Sequence, residues 1–136
     1  MTIIWGYSPE SKLSNSKEIG TNILEVKQVF SALLFKEGIS GIVIRVDEVE
    51  DQTQVIAHLV VDDESILSES FYPKEAGDFS FKTENLVRPI TKIEAGIEII
   101  KGSLRLPTSV IGNGMGFQKV DEKFQPTNHL CLGLII

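Results

Sequence analysis

Apolar and polar side chains alternate with a period of two along most of this chain, and that alternation constrains the fold more than any other feature. Ile42, Ile44 and Val46 alternate with Val43, Arg45 and Asp47, and Val55, Ala57, Leu59 and Val61 alternate with Ile56, His58 and Val60. Between Thr91 and Lys101, Ile93, Ala95, Ile97 and Ile99 share one side while Lys92, Glu94 and Glu98 share the other. Successive side chains on a strand point to opposite faces, so each run reads as a strand with one buried side. The last run sets Leu130, Leu132, Leu134 and Ile136 against His129, Cys131, Gly133 and Ile135. It is too apolar to be left unpaired without risking aggregation.

Weaker signals add further strands. One lies within Ser65 to Tyr72, ended by Pro73 and a turn through Gly77, and Phe79 and Phe81 begin the next. Gly102-Ser103 suits a two-residue type II′ turn leading into Leu104, Arg105 and Leu106. Pro107 would stop that strand or place it at an edge.

Ahead of these runs the period changes. Ile23, Val26, Phe30, Leu33 and Leu34 recur at steps of three and four, with Asn22 and Glu25 spaced as a capping box and Gly38 at the C-cap position. That spacing predicts one amphipathic helix over about 22–37. The expected class is α+β, mainly antiparallel β. One N-terminal helix precedes six to eight strands over about 41–136, arranged as a meander, a sandwich or a partly open barrel. With 136 residues, 42% of them apolar, the chain has material for a single compact domain over 1–136 and its own core.

Charge narrows the function. Thirteen Lys and Arg stand against nineteen Asp and Glu, a net charge of −6, and no basic patch relieves it. Such a surface repels phosphate backbones and anionic lipids, so neither nucleic acid nor membrane is an expected partner. The lone Cys131 has no intramolecular disulfide partner, and the first residues lack the charged region of a secretory signal. Both fit a cytoplasmic protein. A homo-oligomer would form through the Pro107 edge or the C-terminal strand.

Pairing Val49 with Gln54 would fold 41–64 into a hairpin in which Val46 faces Ala57, Ile44 faces Leu59 and Ile42 faces Val61. In that register Arg45 falls opposite His58, with Asp47 two positions along the same face. An imidazole as general acid or base, a carboxylate to orient it and a guanidinium to hold an anion make these three the catalytic candidates. The same face carries Val43, Ile56 and Val60, which suits an interface better than a hydrolytic centre. Asp47, Glu48, Glu50, Asp51, Asp62, Asp63 and Glu64 form a run of seven carboxylates unbroken by any cation. Clustered like charge steers a basic partner.

Other groupings lack their context. His129 and Cys131 stand roughly 6.5–7 Å apart at i and i+2, too far for a Cys–His dyad. The glycines between 112 and 116 lack the Lys-Ser or Lys-Thr and the helix of a phosphate loop. No Gly-x-Ser-x-Gly elbow, calcium-loop pattern or zinc spacing occurs, so no metal or cofactor is expected. The expected function is a non-enzymatic acidic binding protein, of the inhibitor, immunity or adaptor kind. Its protein partner, of basic surface, would meet Arg45, His58 and the seven carboxylates of the 41–64 hairpin. The alternative is a small β-barrel that binds or transforms an apolar small molecule, with Arg45, His58 and Arg105 as its polar contacts.

Overall fold

Apolar alternation of this kind is satisfied when two sheets close on each other, and the computed structural model, which describes residues 2–8, 15–30 and 38–136, shows that arrangement. One sheet has the order β1 (Ile3–Trp5), β14 (Leu132–Ile135), β4 (Ile39–Val46) and β8 (Gly77–Leu86). The larger sheet runs β12 (Lys123–Thr127), β11 (Met115–Val120), β3 (Glu25–Phe30), β9 (Ile93–Lys101), β6 (Gln54–Val61) and β7 (Glu64–Phe71). A short third sheet places β10 (Leu104–Ser109) between β13 (His129–Leu130) and β2 (Asn15–Ile19), and β5 (Glu48–Val49) also pairs with β10. Every pairing is antiparallel.

The core lies between the larger sheets. Ile42, Ile44, Val46, Leu132 and Leu134 meet Val26, Val55, Ala57, Leu59, Val61, Ile93, Ile97 and Ile99 in one buried cluster, joined from the third sheet by Leu104, Leu106 and Leu130. Phe71 stacks on Phe79 and Phe81 at centroid separations of 5.5 and 4.7 Å, which ties β7 to β8. The strands expected within 65–72, from Phe79 onward and over 91–101 are all present. The C-terminal run is paired and buried as expected, with β1 on one side of β14 and β4 on the other.

Four expectations are corrected. The protein is all-β among the described residues, not α+β, and Glu25–Phe30 is strand β3 where a helix was expected. Its inward positions are Val26, Gln28 and Phe30. Gln28 is 0% exposed and hid the period of two, because a polar residue stands where the pattern asks for an apolar one. Its amide nitrogen donates to the Asn113 carbonyl at 2.8 Å and its amide oxygen accepts from the Leu130 N–H at 3.1 Å. A buried amide so bonded costs little. The remainder of the expected helix, 31–37, lies outside the described residues.

The 41–64 hairpin does not form. Ile44 lies between Leu132 of β14 and Phe79 of β8, while Leu59 lies between Leu67 of β7 and Ala95 of β9. The two apolar sets meet across the core, not side by side in one sheet, which satisfies the alternation equally well. Gly102 has φ +81, but it passes the chain from β9 in the large sheet to β10 in the third and makes no hairpin between them. Nor does Pro107 mark an edge. It pairs with Ser16, and on the other side its carbonyl accepts from the Cys131 N–H at 3.2 Å where β13 gives way to β14. Among the described residues β10 and β14 each have strands paired on both sides.

Candidate functional site: the cleft over Gly96

Strand β9 runs through the middle of the six-stranded sheet. Its inward residues fill the core, and its outward residues include Glu94, Gly96 and Glu98, with Ile100 exposed near its end. Gly96 pairs with Lys27 on β3 and with His58 on β6, so the row across the sheet has side chains on both flanks and none at its centre. A Cβ at Gly96 would stand 2.9 Å from the Val26 carbonyl oxygen and 3.3 Å from the Lys27 Cβ. A mid-strand glycine of this kind allows close approach to the backbone. The result is an open cleft of about 250 Å³ with Gly96 as its floor.

The walls are amphiphilic. Lys27 Nζ lies 4.1 Å from the centroid of the Phe124 ring and 5.9 Å from that of Phe117, within the range of cation–π attraction. The same ammonium pairs with Glu94 Oε1 at 3.1 Å, and Lys92 Nζ reaches that oxygen at 3.4 Å. Glu94 tolerates its burial because two cations share its charge. It also holds the Lys92 ammonium above the ordinary lysine range. On the opposite wall His58 Nε2 is 3.6 Å from Glu98 Oε2, beside half-buried Val60. Lys119 pairs with Glu25 at 3.4 Å at the Phe124 end. The cleft thus presents an aromatic ring, N–H donors and carboxylate acceptors together, with Lys27 and Lys92 paired to Glu94 and Lys119 to Glu25.

The sequence-predicted residues are dispersed. Arg45 lies in the other sheet, where Nε and Nη2 donate to both oxygens of Asp78 at 2.9 and 3.1 Å and Nη1 donates to the Tyr7 hydroxyl at 2.8 Å. Its guanidinium stacks on Trp5 at 4.6 Å. The Asp78 carboxylate fixes its charge further. Asp47 is exposed and its N–H donates to the Arg105 carbonyl at 2.8 Å. His58 is therefore separated from both by the fold, and the catalytic trio is not assembled. It keeps the Ile56 and Val60 face expected for it.

Four members of the carboxylate run, Glu48, Asp62, Asp63 and Glu64, have partners within the chain, and all four remain exposed. Glu48 sits 3.8 Å from Arg105, which Glu18 also approaches at 3.3 Å. Asp63 pairs with Lys92 at 3.6 Å and Glu64 with Arg88 at 3.4 Å. Asp62 accepts from the Thr91 hydroxyl, the Thr91 N–H and the Lys92 N–H, and these donors hold its carboxyl below the usual range. Glu50 and Asp51 are exposed at the turn into β6. Arg105, offered as a barrel contact, is the cation between Glu18 and Glu48.

Cys131 is fully buried and burial pushes its thiol up to about 12, while His129 turns toward Gln28, its Nδ1 3.5 Å from the amide nitrogen. Burial lowers the His129 pKa. The glycines at 112–116 pack on neighbouring strands: a Cβ at Gly114, whose φ is +78, would strike the Val29 carbonyl. Among the described residues no group of three His, Cys, Asp or Glu could hold a metal ion. The cleft residues Lys27, Glu94, Gly96, Glu98 and Phe124 were missed as site residues by sequence reasoning. The available signal was Gly96, which interrupts the charged outward row Lys92, Glu94 and Glu98.

No protein-family model matches the chain, and no curated protein sequence matches it. Two solved structures of Cwp84, a surface layer associated protein of Clostridium difficile, resemble it in fold. The structure of that protein's cysteine protease and lectin-like domains aligns with a TM-score of 0.60 at 13% identity, over 89% of this chain and 35% of that one. A variant of the same cysteine protease after propeptide cleavage aligns with a TM-score of 0.61 at 14% identity, over 87% of this chain and 36% of that one. The chain spans about a third of the length of these neighbours, and the likeness at this identity is one of fold.

Proposed function

We propose that this chain is a non-enzymatic binding module that holds a neutral saccharide in the cleft over Gly96. The observation that carries the reading is the lining itself. A sugar ring has an apolar C–H face and a rim of hydroxyls that both donate and accept. Val60 and the part of the Phe124 ring not covered by the Lys27 ammonium offer apolar surface for the first, and Lys27, His58, Glu94 and Glu98 offer donors and acceptors for the second. Because the lysines around the cleft are already paired with carboxylates, an anionic ligand gains little and a neutral one keeps the pairs intact.

The fold likeness is compatible with this reading on one side only. The neighbouring surface protein carries a cysteine protease and a lectin-like domain. A protease of that type needs an accessible thiolate, whereas Cys131 is buried with its thiol near 12. The basic-partner reading loses support because Glu48, Asp62, Asp63 and Glu64 already have partners in the chain.

The test is calorimetric titration with cello-, chito- and manno-oligosaccharides, alongside an anionic control such as oligogalacturonate. One neutral series should bind, unaltered by a change from low to physiological salt and without being hydrolysed, and Phe124→Ala should weaken it at least tenfold. No binding by any neutral series, or full binding by the Phe124 variant, would overturn the proposal.

A further inference from the structure

The outward face of the large sheet does not end at the cleft. Next to His58 across β6 and β7 stands Ser68, and one row along Ile56 stands opposite Ser70. Gln54 shares that face, since its amide nitrogen donates to the Ser70 hydroxyl at 3.1 Å. Phe71, the last residue of β7, packs against the core, and Tyr72 follows it, exposed at the end of this row. Tyr72 is 63% exposed, unusual for so large an aromatic, and it borders a second open hollow of about 440 Å³ with Pro73, Lys74, Asp51 and Gln52.

That hollow is preformed. The buried Thr53 hydroxyl donates to the Glu50 carbonyl at 2.7 Å and accepts from the Ser103 N–H at 3.3 Å, which pins the turn forming its far wall. Gln52 is held at φ 61, and its amide oxygen accepts from Lys101 at 3.4 Å. Side chains ordered before binding lose less entropy on it. On an ideal sheet Tyr72 lies two strands over from Gly96 at about 4.8 Å each and four residues along at about 3.3 Å each, so the hollows are roughly 16 Å apart. The surface between them carries the hydroxyls of Ser68 and Ser70, the Gln54 amide and Ile56, bordered on β9 by the Glu98 carboxylate opposite Ile56 and by exposed Ile100.

We infer that the site is a track running from the Gly96 cleft to Tyr72, and that its ligand is a neutral oligosaccharide of several rings, not a single sugar. Tyr72 is the second stacking platform and Phe124 the first. The inference rests on the saccharide reading above and extends it. The occupant is chosen by the lining: an aromatic side chain at each end, two serine hydroxyls, an amide and aliphatic surface between with one carboxylate alongside, and a length no single ring covers.

The experiment titrates the full chain with cello-, chito- and manno-oligomers of one to six units, for the parent and for Tyr72→Ala and Phe124→Ala, with circular dichroism to confirm folding. Affinity should rise with length and then level off. Tyr72→Ala should weaken the hexamer roughly tenfold and leave the dimer unchanged, as fits the loss of one stacking contact at the far end. Phe124→Ala should weaken every length. Affinity that is flat with length, or a hexamer indifferent to Tyr72→Ala, overturns the track and leaves the cleft standing. No binding at any length, or displacement of the hexamer only by an extended neutral peptide, overturns both.

Discussion

Gly133 and Gly96 each sit in an interior strand with a neighbour on either side, yet the molecule uses them in opposite ways. A Cβ at Gly133 would meet the Ile3 Cγ2 at 2.8 Å, the Val43 Cγ1 at 3.0 Å and the Trp5 Cε3 at 3.1 Å. The side chains of β1 thus fold over that glycine, and the outer row of the small sheet is sealed. Val43, Cys131 and Ile135 beside it are buried, and Arg45 stacks on Trp5. At Gly96 the nearest atoms belong to the backbone and stem of β3, and the glycine, though buried, lines the floor of the cleft. Glycine alone does not make a site. One becomes packing and the other a cleft because the neighbouring strand β1 sends the bulky side chains of Ile3 and Trp5 across the first.

The largest effect that would break this contrast is Gly133→Val. Overpacking beneath Trp5 and Ile3 should cost about 3 kcal/mol, read as a lower urea midpoint, with ligand binding retained by the folded fraction. Wild-type stability would mean that β1 does not seal the row. Gln28→Ala comes next. It leaves the Leu130 N–H and the Asn113 carbonyl without their buried partner and should cost roughly 2–3 kcal/mol by the same measurement. Gly96→Val reverses the pattern seen at Gly133. A shift of about 1–2 kcal/mol is expected as the Val26 carbonyl gives way, while the branched side chain fills the cleft and saccharide affinity is lost. Binding that survives it would remove the contrast between the two faces.

Smaller effects sharpen the account of the sealed side. The folded protein holds the Cys131 proton to about 12, whereas a free thiol releases it near 9.0. Above pH 9 the unfolded chain therefore binds fewer protons than the folded one, and stability falls as pH rises toward 12. Tyr7, also raised chiefly by burial, adds to the same alkaline loss. Denaturation at pH 8 and pH 10.5 should show a smaller decline for Cys131→Ala than for the parent. Equal declines would place the thiol in contact with water.

How much of this was visible in the residues depends on what alternation encodes. It identifies which side chains face inward, and so Ile93 to Ile99, the Leu130 to Leu134 run and the strand containing Phe79 were legible. It does not say which strand lies beside which, because Ile44 is equally satisfied by Leu59 next to it or by Leu132 next to it with Leu59 across the core. The 41–64 hairpin failed for that reason, and with it the meeting of Arg45 and His58. Strand β3 was hidden by Gln28, whose partners at Asn113 and Leu130 lie some hundred residues away and leave no local trace. The cleft was half legible. His58 between Ile56 and Val60 was recognised as a mixed face, but Lys27 and Phe124 reach it only through the order of β3, β11 and β12 in the large sheet.

The most direct test of the open face is an amide chemical-shift map of the full chain, recorded as the best-binding neutral hexasaccharide is added. Shifts centred on Lys27, His58, Gly96 and Phe124, continuing through Ser70 to Tyr72, are the predicted result. A map centred on Trp5, Arg45 and Asp78, with Gly96 unmoved, would contradict it.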